Sequence, residues 1–104
     1  MQALFVNFNV PGKDLDDVAE MVEPLVSAFS DLPGMLAKIW ITNPEKNLYG
    51  AVYLWRDEES VANFLASELW QSVLATPEFA NFDVREYAVI EHFTKETQPA
   101  LTIV

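Results

Sequence analysis

The sequence predicts an α+β domain built as one four-stranded antiparallel sheet with two helices packed on one of its faces. Three observations lead there. The apolar pattern runs in the order strand, helix, strand, strand, helix, strand. The 104 residues are the size of one domain, 1–104, and at 51% hydrophobic they can fill a core. Every predicted strand also carries large apolar side chains on both faces, more than two helices can cover.

The first strand is Ala3 to Val10, with Leu4, Val6, Phe8 and Val10 on one side and Ala3, Phe5, Asn7 and Asn9 on the other. Pro11-Gly12-Lys13 ends it, and Asp14 is placed to cap the helix that follows. From Leu15 the apolar positions Leu15, Val18, Ala19, Val22, Val26 and Phe29 form a helical stripe, with Asp16, Asp17, Glu20 and Glu23 opposite. Pro24 removes the bond to the Glu20 carbonyl and predicts a kink. Asp31-Leu32-Pro33-Gly34 stops the helix.

The second strand is Met35 to Thr42, with Met35, Ala37, Ile39 and Ile41 on one face and Leu36, Lys38, Trp40 and Thr42 on the other. A loop of turn formers, Asn43 to Asn47, leads to the third strand, Leu48 to Arg56. There Val52 and Leu54 oppose Tyr49, Ala51, Tyr53 and Trp55. Asp57-Glu58-Glu59-Ser60 opens a second helix with acids at its positive end, and its apolar face begins at Val61, Phe64 and Leu65. A further helical stretch passes through Leu69, Trp70, Val73 and Leu74 before Thr76-Pro77. The last strand is Phe82 to Phe93, followed by a tail from Thr94 that ends in Leu101-Thr102-Ile103-Val104. This order is the split βαβ, or ferredoxin-like, arrangement. The apolar second face predicts a twofold homodimer, sheet against sheet.

Charge narrows the function. Sixteen acidic and six basic residues give a net charge of −10, which cannot build the basic stripe that phosphate backbones need and repels anionic membrane surfaces. No nucleic-acid or membrane partner is therefore expected. Cysteine is absent, and His92 is the only histidine, so no metal and no cofactor is expected. The three glycines stand apart and form no phosphate-binding loop. No basic n-region precedes the first apolar segment, and the longest unbroken apolar run is the five residues Ala51 to Trp55. These features predict a soluble, cytoplasmic protein.

The run Pro33-Gly34-Met35-Leu36-Ala37-Lys38-Ile39-Trp40, continued by Glu45-Lys46-Asn47, Gly50, Tyr53-Leu54, Asp57-Glu58, Ser60 and Phe64-Leu65, resembles the small bacterial monooxygenases of the YdhR type. That family lies within the dimeric α+β barrel superfamily, and the likeness covers nearly the whole chain. It departs at Asn7, where a related member has histidine, and in the longer Leu69–Phe79 stretch. The resemblance implies a ferredoxin-like homodimer and cofactor-independent oxygenation of a small aromatic or polyketide-like phenol or quinol.

Such chemistry needs a dry apolar cavity, an acceptor for the phenolic proton and donors for the developing oxyanion. Trp40, Tyr53, Trp55 and Trp70 could wall the cavity, or could simply be core and dimer contacts. Lys38 shares a strand face with Trp40 and could hold a phenolate, although an ion pair with one of the sixteen carboxylates is the simpler reading. Asn7, a polar residue on an apolar strand, is expected to anchor a pocket between sheet and helices bounded by Trp40 or Tyr53 and Trp70. His92 has the pKa of a general base and is placed on the last strand, on the face of Ala88 and Ile90. Its simpler role is a strand-end histidine bonded to a carboxylate, with Glu86 on the same face. The Glu45-Lys46-Asn47 loop reads as a turn with local ion pairs that sets hairpin geometry. Three functions fit: the monooxygenase, a non-catalytic small-ligand-binding or stress-related dimer, and a haem-binding relative with His92 as axial ligand.

Overall fold

Alternation in the first segment produces strand β1 (Gln2–Asn9) in a computed structural model that describes residues 1–97. Leu4, Val6 and Phe8 are buried, and the residues between them turn to the other side of the sheet. Asp14 caps α1 (Leu15–Val22) as expected, and through a reciprocal box. Its Oδ1 accepts from Asp17 N at 2.9 Å, while Asp17 Oδ2 accepts from Asp14 N at 3.1 Å. Pro24 sits in a 3₁₀ turn, Glu23–Leu25, which breaks the helical segment before α2 (Val26–Ser30).

Strand β2 (Met35–Asn43), a 3₁₀ turn at Pro44–Lys46 and strand β3 (Leu48–Trp55) form the hairpin. Helices α3 (Glu58–Leu65) and α4 (Glu68–Leu74) follow, capped by Asp57 and Ser67. Strand β4 is Ala80–Ala88 and helix α5 is Glu91–Thr97. The strand order is β2-β3-β1-β4 and every pairing is antiparallel. One core unites the inner face of β1 and β3 with Val18, Phe29, Val61, Phe64, Trp70 and Val73, so α1 to α4 all lie on one side. No helix among the described residues is long and apolar enough to cross a membrane.

Two differences from the sequence reading change what the sheet presents. The last strand ends at Ala88 rather than Phe93, because its partner β1 runs out: Gln2 pairs with Ala88, and the final bond is Val89 N to Met1 O at 3.0 Å. Without a ladder to extend, the chain coils into α5. Thr94 to Thr97 belong to that helix, and the apolar tail Leu101–Val104 lies outside the described residues. The second difference is a bulge in β2: Met35 pairs with Trp55 but Ala37 pairs with Leu54. The extra residue turns Met35 inward to the core, away from Ala37 and Ile39.

Two asparagines and a glycine hold the loops in place. Asn47, left-handed at φ 53°, accepts on Oδ1 from Val10 N at 2.6 Å and donates to the Val10 and Lys13 carbonyls at 3.0 and 3.1 Å. Asn9 donates to the Asn47 carbonyl at 2.8 Å. The β2–β3 hairpin is thus tied to the segment that launches α1, and Glu45-Lys46-Asn47 works through these bonds, with no ion pair of Glu45 or Lys46 among the described residues. Gly34 has φ +79°, and its carbonyl accepts from Arg56 N at 2.8 Å. A Cβ there would stand 2.0 Å from Ser60 Oγ, which donates to the capping Asp57 carboxylate at 2.7 Å. Those Ser60 bonds also hold the Asp57 carboxyl below its usual pKa. Gly34→Ala is therefore expected to cost about 2–4 kcal/mol, from left-handed strain and the clash with the cap. Urea denaturation measures it, and a loss within about 0.5 kcal/mol would show that the turn relaxes freely.

Candidate functional site

The helix-facing side chains of the sheet do not fill the space beneath α1 and α2. Between them lies a cavity of about 490 Å³. Its floor is Val6 and Phe8 of β1, Tyr49, Ala51 and Tyr53 of β3, and Lys38, Trp40 and Thr42 of β2. Its roof is Leu15, Val18, Val22, Leu25, Val26 and Phe29, and one end is closed by Trp70, Val73 and Phe79. These walls follow from parity: β3 buries every second residue from Tyr49 to Trp55, and the register aligns Lys38 with Tyr53 and Trp40 with Ala51. The roof is the apolar stripe of the broken helix. Trp40 is 43% exposed and stands at the rim with Val26 and Leu15.

The polar groups in this lining are few. The side chain of Lys38 lies among aromatic faces, its Nζ 3.2 Å from the ring centroid of Phe29, 3.6 Å from Trp40 and 4.6 Å from Tyr53. Phe29 meets Trp40 edge-on at 5.7 Å, completing the enclosure. No carboxylate lies within ion-pair distance of Lys38 among the described residues, so the expected ion pair is replaced by cation–π contacts. Desolvation lowers the Lys38 pKa to about 7, while the ring quadrupoles favour the ammonium. Burial pushes the Tyr53 phenol up and keeps it neutral. The Tyr49 hydroxyl is buried without a hydrogen-bond partner among the described residues. Thr42 already donates to the Leu48 carbonyl at 3.0 Å, and Glu23 is exposed on the turn.

The structure brings Lys38, Trp40, Tyr53 and Trp70 together around this cavity. It separates the others from it. Asn7 lies between Val6 and Phe8, both cavity-facing, and so points to the opposite face of the sheet, paired with Gly50 and Asp83. It cannot anchor this pocket. His92 is an exposed residue of α5, beyond the Gln2 end of β1, whereas the cavity lies toward Phe8. Its ring packs 4.2 Å from Phe93, and Glu86 stays behind on β4. Trp55 is fully buried and stacks 5.8 Å from Tyr53 as core rather than wall. Sequence reasoning missed Tyr49 and Phe29, although the parity that selected Tyr53 and the stripe that ended at Phe29 both pointed to them. No cluster of three or more histidine or acidic side chains suited to a metal occurs among the described residues.

Fold and cavity together define a class: a ferredoxin-like α+β domain with an apolar chamber between sheet and helices. Residues 3–100 match the family described as "Putative mono-oxygenase ydhR", and the chain belongs to that family. No curated protein matches it. Among solved structures it is similar to a "putative antibiotic biosynthesis monooxygenase" from Deinococcus radiodurans, with TM-score 0.70 and 11% identity over 86% of this chain and 92% of that one. It is also similar to a variant of SnoaB, a cofactor-independent oxygenase from Streptomyces nogalater, with TM-score 0.64 and 22% identity over 86% and 93% of the two chains. A third is the haem degrader MhuD from Mycobacterium tuberculosis with two haems bound, at TM-score 0.65 and 14% identity over 86% and 96%. At these identities the likeness establishes the fold.

The Lys38 surroundings have a consequence for stability. Below about pH 7 the folded chain carries a buried ammonium; between about 7 and 10.5 it sheds that proton before the unfolded chain does, so stability rises with pH across that window. Lys38→Met removes the effect. After discounting for solvent at the partly open cage and for lost cation–π attraction, the variant should be about 1–2 kcal/mol more stable at about pH 6, with the gap closing by about pH 10. Thermal melts across that range check it. An unchanged gap would mean that Lys38 does not titrate in the window.

Proposed function

We propose that the chain is a cofactor-independent monooxygenase acting on a small phenol, quinol or enol of aromatic or polyketide-like type, bound in the cavity as part of a homodimer. The observation that carries this reading is the apolar chamber of about 490 Å³, sized for a small polycyclic ligand and lined by Trp40, Tyr53 and Trp70 with Lys38 as its isolated polar side chain among the aromatic ones. Aromatic walls stack on an aromatic ligand, and the Lys38 side chain brings a polar group to its oxygen. The electrons come from the substrate itself: a CH₂ group becomes C=O, and its two hydrogens leave with the second oxygen atom as water. Family membership and the fold shared with SnoaB support the same chemistry.

The dimer is inferred from the face that the helices leave bare. Ile39 is 53% exposed, Tyr87 49% and Phe5 38%, and Val52, Leu54 and Ile41 lie among them. A second copy of the same sheet covers this patch isologously. The haem reading is less well supported: MhuD binds haem on the same fold, but here the lining holds no imidazole or thiolate, and burial disfavours a Tyr53 phenolate. The lone histidine lies elsewhere.

An oxygen electrode with a panel of hydroquinones and anthrones is expected to show oxygen uptake, with the oxygenated product formed in equal amount and no added metal or flavin. Ligand binding without uptake across the panel would instead favour the non-catalytic dimer. Sedimentation at micromolar concentration is expected to give twice the chain mass, and a purely monomeric species would remove the sheet-to-sheet assembly.

A further inference from the structure

We infer that Lys38 ionises the bound substrate: its amine takes the hydroxyl proton of a phenol in the cavity and holds the resulting phenolate as an ammonium–phenolate pair. This rests on the reading of the cavity as a phenol site and names the group that would do its first chemical step. The step is balanced, since the O–H bond breaks, an N–H bond forms on Nζ, and the total charge of the site is unchanged.

The geometry singles out Lys38. Lys38 lines the cavity with its Nζ against three aromatic faces, two residues along β2 from the rim residue Trp40. The other titratable residues of the lining are Glu23 on the turn above it and Tyr49 and Tyr53 on β3 beside it. Glu23 is exposed and makes no ion pair with Lys38, and Tyr53 is held in its neutral form. A carboxylate partner would keep the lysine charged and occupied; aromatic faces offer a cation only modest stabilisation and no acceptor for its protons. A free amine in a dry site is a competent base, and once protonated it places a positive charge beside the new oxyanion where water does not screen it. A permanently ionised ligand would leave its hydration on entry, whereas a neutral phenol enters cheaply and ionises inside.

The probe is 3-nitrophenol, a weaker acid than its 4-isomer, whose phenolate is yellow and whose neutral form is nearly colourless. It is titrated into the intact protein at about pH 7.5, where the free compound is mostly neutral and the Lys38 amine mostly free, with binding followed separately by calorimetry. The expected result is binding accompanied by the phenolate band, the bound compound ionising at a pH at least ten-fold higher in proton concentration than in free solution. Lys38→Met is expected to bind it as the neutral form, and Lys38→Arg, always charged, to stabilise phenolate without taking its proton, so that proton release to buffer appears in calorimetry in two buffers of different ionisation heat. Binding of neutral nitrophenol by the parent chain, or the same phenolate band in Lys38→Met, overturns the role of Lys38 and leaves the cavity reading standing. Absence of any binding overturns both.

Discussion

A strand sends alternate residues to opposite faces, and α1 to α4 all pack on one of them. Most of the architecture follows from that constraint. On the covered side, Leu4, Val6 and Phe8 of β1 and Tyr49, Ala51, Tyr53 and Trp55 of β3 are buried because these are the two central strands. The edge strand β2 is served less well. Its helix-facing residues Lys38 and Trp40 sit where α1 and α2 pass over without packing flush, the segment between them being a 3₁₀ turn rather than continuous helix. The chamber is thus the product of a proline break above and an edge strand below. Asn47 fixes where that roof starts, since its bonds to Val10 and Lys13 tie the origin of α1 to the hairpin that supplies β2.

Charge follows the same division. Sixteen carboxylates cover the outer surface, and among the residues lining the chamber only Glu23, on the exposed turn, carries one. Lys38 is correspondingly the only cation in the lining. In water a lysine in so acidic a chain would find a carboxylate, and the exchange would be worth little. Held on an inward-facing strand position two residues from Trp40, it makes no ion pair among the described residues. The competition at Nζ is then between desolvation, which favours the amine, and ring quadrupoles, which favour the ammonium. A group balanced in this way changes its charge state in response to what sits beside it.

Local rules made the fold legible. Asp14 and Asp57 announced helix starts, Pro24 announced the break, and alternation gave the inward set of β1 and β3. What failed depended on partners distant in sequence. Val89, Ile90 and Phe93 continue an apolar pattern that a strand could use, yet the strand ends where β1 ends. The β2 bulge reverses Met35 because of pairing with Trp55, which no pattern within β2 records. The site shows the same split. Lys38, Trp40 and Tyr53 share the cavity because parity within strands places them there, with Trp70 brought in by α4. Asn7 was a polar residue in an apolar strand, but its neighbours Val6 and Phe8 already assigned it to the other face. His92 combines a suitable residue type with an expected place on the last strand, and that strand ends at Ala88 before reaching it.

The fold by itself leaves the chemistry open, because structures on the same scaffold include an oxygenase named as cofactor-independent and a haem degrader. What separates such functions is the handful of groups inside the chamber. A haem site needs an axial ligand, and the imidazole of this chain is on α5 at the far end of the sheet. A site that lets a substrate supply its own electrons needs less: apolar walls, one group able to take a proton and one able to donate a hydrogen bond. In the proposed function Lys38 is the group that takes the proton, and it is placed by the same alternation of strand residues that sends Ile39 and Phe5 to the opposite face. On the proposed reading, one periodicity therefore specifies two things at once: Tyr49, Ala51 and Tyr53 build the chamber, while Val52 and Leu54 between them build the surface on which a second copy packs.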